Sequence, residues 1–355
     1  MSKVFVVTNR KGGCGKSFTT ASLGFALARK GKKVLCIDTD NQHSLTVSMG
    51  VKEPDKLPIT IANVIAGIIS KKGAADNVNI RGNSPRNVSA GERQEGFCSA
   101  TNPAGITIDS TGFAINPADH ANSSTGFCLT TNPTAGIIHH EEGVDLMPAN
   151  NSLTGIELAL ASLYGRENIL RKYLNNVKHL YDYCLIDTSP TIDILTINAL
   201  AAADSAIIPV TPKYLDAKGL ELLLRSIADI REDINPELDI CGILMTMVDK
   251  RTNFSKEIIG VIEQAYGEHI HIFKDHIPHS IRAAESCATG KSIFSYDLNG
   301  KVAAAYESLV EDILGRDGDG VGNGINNSDS GSDNDFDIAL PTTRTAISKE
   351  VQNHG

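Results

Sequence analysis

Short apolar, β-branched runs alternate along this chain with longer stretches whose apolar positions recur at helical spacing. "KVFVVT" (3–8) and "KVLCID" (33–38) open the series, and "SFTTASLGFALARKGK" between them sets Leu23, Phe25, Leu27 and Ala28 in a helical pattern. "GVDLMPAN" (143–150), "YCLIDTSP" (183–190), "SAIIPV" (205–210), "ICGILMTMV" (240–248) and "HIHIF" (269–273) add further runs, and "GLELLLRSIADIRE" (219–232) a further helix. Runs that are apolar at consecutive positions suit strands buried on both faces, so the pattern predicts a mostly parallel sheet covered by helices. Right-handed crossovers then give a doubly wound α/β fold, with ligands at the carboxyl ends of the strands.

From about 82 to 131 that rhythm stops. The stretch is rich in Gly, Ser, Thr, Asn and Pro, and "GFCSATNPAGI" (96–106) recurs as "GFCLTTNPTAGI" (126–137), with a degraded "GFAINPAD" (112–119) between them. Long aperiodic segments are unusual inside a compact domain. The reading is one domain, 1–315, interrupted by a surface insertion at about 82–131 that grew by local duplication. From 316 to 355 follows a low-complexity acidic tail, "RDGDGVGNGINNSDSGSDNDFD" onward, expected to be disordered. Its Asp-Gly-Asp-Gly start fails the helix-loop-helix calcium pattern, because Val321 and Ser328 fall where oxygen ligands belong.

Composition narrows the class. With 41% hydrophobic and 21% charged residues the chain reads as a globular protein, and no apolar run is long enough for a signal peptide or a membrane span. Seven cysteines are scattered without a Cys-x-x-Cys pair or zinc spacing, which fits a reduced, cytosolic setting; Cys36, Cys184 and Cys241 lie within apolar runs and read as small core residues. A net charge of −9 excludes a generally basic nucleic-acid coat. Any DNA contact must come from a local basic patch and be salt-sensitive.

The chemistry is concentrated in "NRKGGCGKSFTT" (9–20), which follows the first strand. Glycines let backbone N–H groups turn around phosphate oxygens, and the following helix N-terminus adds its partial positive charge. Lys16 is placed for the β and γ phosphates of a nucleoside triphosphate, and Ser17 for Mg²⁺. The generic phosphate loop requires Gly where Arg10 stands, so in the strict sense the motif is broken. A second lysine, Lys11, is useful there only if it points at additional negative charge. Asp187 and Asp38 each end an apolar strand, and Asp40 follows two residues later. Three such carboxylates beside one phosphate loop exceed what turn or cap roles require.

Lys11 to Ser17, Lys-Gly-Gly-Cys-Gly-Lys-Ser, resembles the deviant Walker A loop of the ParA/MinD/Soj ATPases. "VLCIDTDNQHSLT" (34–46), "YDYCLIDTSP" with "LTINALAAAD" (195–204), "GILMTMVDKRT" (242–252), "IPHSIRAAE" (277–285) and "HHEEGVDLMPAN" (139–150) resemble further ParA segments. The likeness spans roughly 1–81 and 132–313. It implies a P-loop NTPase fold of the SIMIBI type, with ATP and Mg²⁺ as cofactors. Lys11, Gly12, Gly13, Cys14, Gly15, Lys16, Ser17 and Phe18 would hold the phosphates, and Pro278 would touch adenine. Two substitutions depart from the family: Phe18 replaces the usual Thr, and Ser280 replaces a common Asn. The resemblance further implies Mg²⁺ bound through Ser17, Asp38 and Asp187, an attacking water positioned by Asp40, and Lys11 acting across an ATP-bound homodimer on the partner's phosphates.

By the same resemblance the dimer would bind DNA non-specifically, through Arg225, Arg251, Lys256 and Arg282 with Lys250 and Arg231 nearby. A ParB-like centromere-binding partner would stimulate slow hydrolysis, which makes the chain a cytoplasmic, nucleoid-associated partitioning ATPase. A MinD-like membrane-cycling regulator is the alternative, but it requires a basic amphipathic C-terminal helix where this sequence is acidic. An iron-protein reductase would need cluster cysteines, and Cys98 and Cys128 sit inside the duplicated "GFC" units.

Overall fold

The computed structural model of the chain describes residues 2–80, 100–101, 107–108, 114–115 and 132–318. β1 (Lys3–Val7) leads through the glycine-rich loop into α1 (Lys16–Arg29); β2 (Val34–Asp38) leads into a short α2 (Ser44–Ser48) and then α3 (Ile61–Ile80). Within the predicted insertion, β3 (Ala100–Thr101), β4 (Thr107–Ile108) and β5 (Ala114–Ile115) pair antiparallel in a small sheet of their own, and the rest of 82–131 lies outside the described residues. A hairpin of β6 (Ile138–His139) and β7 (Val144–Met147) precedes α4 (Leu153–Ala161) and α5 (Ile169–Val177). Strands and helices then alternate through β8 (Tyr183–Asp187), α6 (Ile194–Ala202), β9 (Ser205–Val210), α7 (Tyr214–Asp233), β10 (Asp239–Met245) and α8 (Asn253–Tyr266). Three helices, α9 (Ile281–Thr289), α10 (Ile293–Tyr296) and α11 (Lys301–Gly318), complete the described chain.

The large sheet has the order β10-β9-β1-β8-β2-β7-β6, and every pairing in it is parallel except the β6–β7 hairpin. The doubly wound α/β expectation holds, because consecutive strand residues feed opposite cores. Val4 and Val6 enter a core shared with α3 to α8, whereas Phe5 and Val7 enter one shared with α1, α10 and α11. α1 is pressed onto the sheet at Gly24, where a Cβ would stand 2.8 Å from Cys36 Sγ. Phe18 joins the same side, edge-on to Tyr306, while the Thr19 and Tyr306 hydroxyls hydrogen-bond at 3.0 Å. Cys36, Cys184 and Cys241 are buried, as their apolar runs predict.

Two details differ from the sequence reading. "HIHIF" forms no strand: Ile272 makes a single bridge with Ile243, held by Ile243 N to His271 O and Phe273 N to Ile243 O, before the chain bends away at 274–275. β6 runs antiparallel at the sheet edge, and two residues are too few to show periodicity.

Register is what the sheet contributes to function. Val7 pairs with Asp187 and Asp187 with Asp38, so the exit of β1 and two carboxylates lie in one row at the carboxyl edge.

Candidate active site

The loop between β1 and α1 is shaped by its glycines. Gly13 and Gly15 have φ of 73° and 87°, conformations that side chains disfavour, and Gly15 caps α1 without a side-chain bond, which leaves the helix N–H groups pointing outward. A Cβ on Gly12 or Gly13 would meet nothing within 4 Å, so there is open space above the loop. Beneath it, Cys14 is fully buried and its carbonyl accepts from Thr246 Oγ1 at 2.8 Å, which ties the loop to the end of β10. Asn9 anchors the other side, its amide donating to Pro209 O at 2.6 Å and its Oδ1 accepting from Lys11 N at 3.1 Å.

Lys16 is 6% exposed, and its ammonium donates to Lys11 O at 3.1 Å. Lys11 turns the other way: its Nζ lies 2.7 Å from Oδ1 of Asp216, a residue in the first turn of α7. The additional negative charge that the sequence reading sought for Lys11 is therefore present within the chain itself, as a carboxylate that reading did not single out.

Asp38 and Asp187 are fully buried neighbours. Thr46 donates to Asp38 Oδ2 from both N (2.8 Å) and Oγ1 (2.7 Å), and Asp40 N donates to Oδ1 at 3.1 Å. Burial outweighs those bonds and pushes the Asp38 carboxyl up to about 6. The Asp187 carboxyl is also held well above the usual carboxylate range, by burial and then by the Asp38 charge, with Ser17 and Lys16 pulling the other way. Among the described residues its buried Oδ2 has no hydrogen-bond partner. Two adjoining buried carboxylates, one with an orphaned oxygen, beside the Ser17 hydroxyl form a hard-oxygen donor set that Mg²⁺ fits. Among the described residues no three His, Cys, Asp or Glu side chains converge into a protein-only metal cage. Mg²⁺ draws most of its oxygens from phosphate and water, so it needs no such cage.

Asp40 is buried at the mouth of the same row, with Oδ1 accepting from Gln42 N at 2.9 Å. On α4, the Glu157 carboxyl is raised by burial and then by the charges of Asp193 and Asp40. Asp193 caps α6, accepting from Thr196 N at 2.8 Å, and gathers the hydroxyls of Ser189 and Thr191. Glu157, Thr46, Thr246 and Asp216 escaped the sequence reading. Only Asp216 had a legible signal, an acid just beyond a strand end at the start of a helix.

Pro278 bridges to Val248 and lines a cavity of about 690 Å³ with Lys250, Arg251, His276 and His279. Met247 precedes Val248, and its Cε would lie 3.6 Å from a Cβ on Gly15, so the segment that leads into the cavity lining passes next to the phosphate loop. Three of the four cations expected to bind DNA hold a carboxylate of the chain. Arg225 pairs with Glu221 at 2.6 Å, Arg251 with Asp249 at 2.8 Å and Arg282 with Asp297 at 3.3 Å, whereas Lys256 and Lys250 are exposed. Arg251 belongs as much to the rim of the Pro278 cavity as to any DNA face. Cys98 and Cys128 lie outside the described residues.

Comparison with known proteins agrees with this fold. The AAA domain family model matches residues 2–88 and 107–240, so the match resumes within the predicted insertion. Sporulation initiation inhibitor protein Soj of Bacillus subtilis is 29% identical over 313 residues, covering 88% of this chain and 98% of Soj. The chromosome-partitioning ATPase Soj of Treponema pallidum is also 29% identical, over 90% of this chain and 99% of its own length. Among solved structures, cobyrinic acid a,c-diamide synthase of Mycobacterium smegmatis, with bound ADP and magnesium, is similar with a TM-score of 0.65 at 26% identity, covering 90% of this chain and 97% of that one.

Proposed function

From the premise that the chain belongs to the AAA domain family, in its ParA/Soj branch of P-loop ATPases, we propose that it is an ATP-dependent DNA-partitioning ATPase. The observation that carries the reading is the row of Val7, Asp187 and Asp38, which sets two buried carboxylates, one with an unpartnered oxygen, against Lys16 and Ser17. Lys16 leaves the Lys11 carbonyl for the β and γ phosphates, and the outward N–H groups of the loop and of Phe18 hold the remaining phosphate oxygens. Ser17, Asp38 and Asp187 would hold Mg²⁺, which supplies charge neutralisation at the phosphates. Asp40 orients the attacking water for in-line displacement. Pro278 and its cavity receive the adenine.

Lys11 acts in trans within an ATP-bound sandwich dimer, stabilising charge that spreads over the partner's phosphoryl oxygens. That dimer binds DNA non-specifically through Lys256, with Arg225, Arg251 and Arg282 contributing where their carboxylate partners release them, and a ParB-like protein stimulates turnover. The direct test is nucleotide binding and steady-state hydrolysis of ATP by the full chain and by Lys16→Gln. The wild type is expected to hydrolyse ATP slowly in Mg²⁺, and Lys16→Gln to lose binding; micromolar binding by the variant contradicts the phosphate-loop assignment.

A further inference from the structure

The Lys11–Asp216 pair is lopsided. The Asp216 side chain is 1% exposed and that of Lys11 is 41% exposed. Thr211 donates to Asp216 Oδ2, whereas the buried Oδ1 has no hydrogen-bond partner among the described residues and meets a cation only in its ion pair with the Lys11 ammonium at 2.7 Å. A half-exposed lysine that lets go is rehydrated easily, whereas a buried carboxylate that loses its cation is left uncompensated. The backbone of Lys11 is held on the same side. Its N–H reaches Asn9, which is bonded to Pro209 at the end of β9, and its carbonyl accepts from both Lys16 Nζ and, at 3.3 Å, Cys14 Sγ. One residue therefore holds both lysines of the loop on oxygens of their own chain, and α7 supplies the charged half of that arrangement.

We propose that Asp216 is a positioning residue that keeps Lys11 in cis, so that nucleotide-driven association must displace this ion pair before the lysine can reach a partner's phosphates. The inference rests on the trans role given to Lys11 above. An ammonium at hydrogen-bond distance from a carboxylate buried in its own subunit is not projecting across a subunit boundary. Once Lys11 leaves, Asp216 retains Thr211 and the positive end of α7, but not its cation. The residual cost opposes association and sets the protein concentration at which ATP produces dimers.

The test uses the full chain with Mg²⁺ and a non-hydrolysable ATP analogue, followed by sedimentation across protein concentration, with steady-state ATPase measured in parallel. Asp216→Asn keeps the shape and an acceptor for Thr211 while removing the charge. It is expected to dimerise at about tenfold lower concentration, equivalent to about 1.4 kcal/mol, with the rate at saturating protein within about twofold of wild type. Asp216→Glu should return the threshold towards wild type, which a general packing defect would not do. A threshold for Asp216→Asn within about twofold of wild type, or above it, overturns the proposal. Lys11→Ala separates the two ideas. If it dimerises and hydrolyses like the wild type, the trans reading falls; if it does neither while Asp216→Asn keeps the wild-type threshold, only the cis-holding role falls. Should Asp216→Asn fail to fold, Thr211→Val leaves the carboxylate but removes the hydroxyl that aims it. Without that hydroxyl the buried carboxylate is less compensated when Lys11 leaves, so the threshold should rise severalfold, and an unchanged threshold again contradicts the idea.

Discussion

At the scale of single residues, the site is defined by charges that the fold places at some expense to itself. Asp38 and Asp187 adjoin in register, fully buried, and both carboxyls sit above their ordinary range because neither burial nor the neighbouring charge favours ionisation. Asp187→Asn removes one of the two charges and should stabilise the nucleotide-free protein by about 1 kcal/mol or more, a rise of about 2 °C in Tm. It should also abolish the Mg²⁺-dependent part of the thermal shift given by ADP. Melting curves with ADP, with and without Mg²⁺, check both halves. The sign of the pH dependence follows from the raised Asp38 carboxyl. Its neutral form is favoured in the folded chain, so its contribution to stability is full below the ordinary carboxylate value and is lost as pH rises through about 6. Mg²⁺ needs the ionised form, so the Mg-ADP thermal shift should shrink between about pH 7.5 and pH 5.5. A shift that is flat or grows over that range contradicts the assignment of Asp38 to the metal site.

At the scale of elements, the phosphate loop is shaped by its neighbours as much as by its own glycines. Thr246 at the end of β10 holds the Cys14 carbonyl, and Asn9 is held by β9. Thr246→Val should cost about 1 kcal/mol of stability and weaken ATP binding severalfold, with little change in turnover at saturating ATP. Titration calorimetry beside steady-state kinetics separates those effects. The alternation of strands and helices, the loop and the strand-end acids were all legible in the sequence, because each is a local pattern repeated at a fixed spacing. What escaped it depends on tertiary contact. Thr46 matters only because α2 turns back onto Asp38, and Asp216 because α7 starts beneath the loop. "HIHIF" is the converse case. Its alternating apolar residues suit a strand, but only Ile272 finds a bridge partner on β10.

At the scale of the whole molecule, the proposed function makes this an ATPase whose surface properties change with the nucleotide it holds. With an acidic net charge of −9, a duplex is attracted only where cations are locally exposed, so the proposed association with DNA is expected to be weak and salt-sensitive in each subunit and strengthened by the proposed pairing of two. Among the described residues no helix is long and apolar enough to cross a membrane. The most direct test is the binding of a random-sequence fluorescent duplex to Asp40→Ala protein, read by anisotropy in Mg-ATP and in Mg-ADP at two salt concentrations. The account predicts binding in ATP that falls steeply as salt rises, and at least about tenfold weaker binding in ADP. Equal binding in the two nucleotides, or none in either, would contradict it.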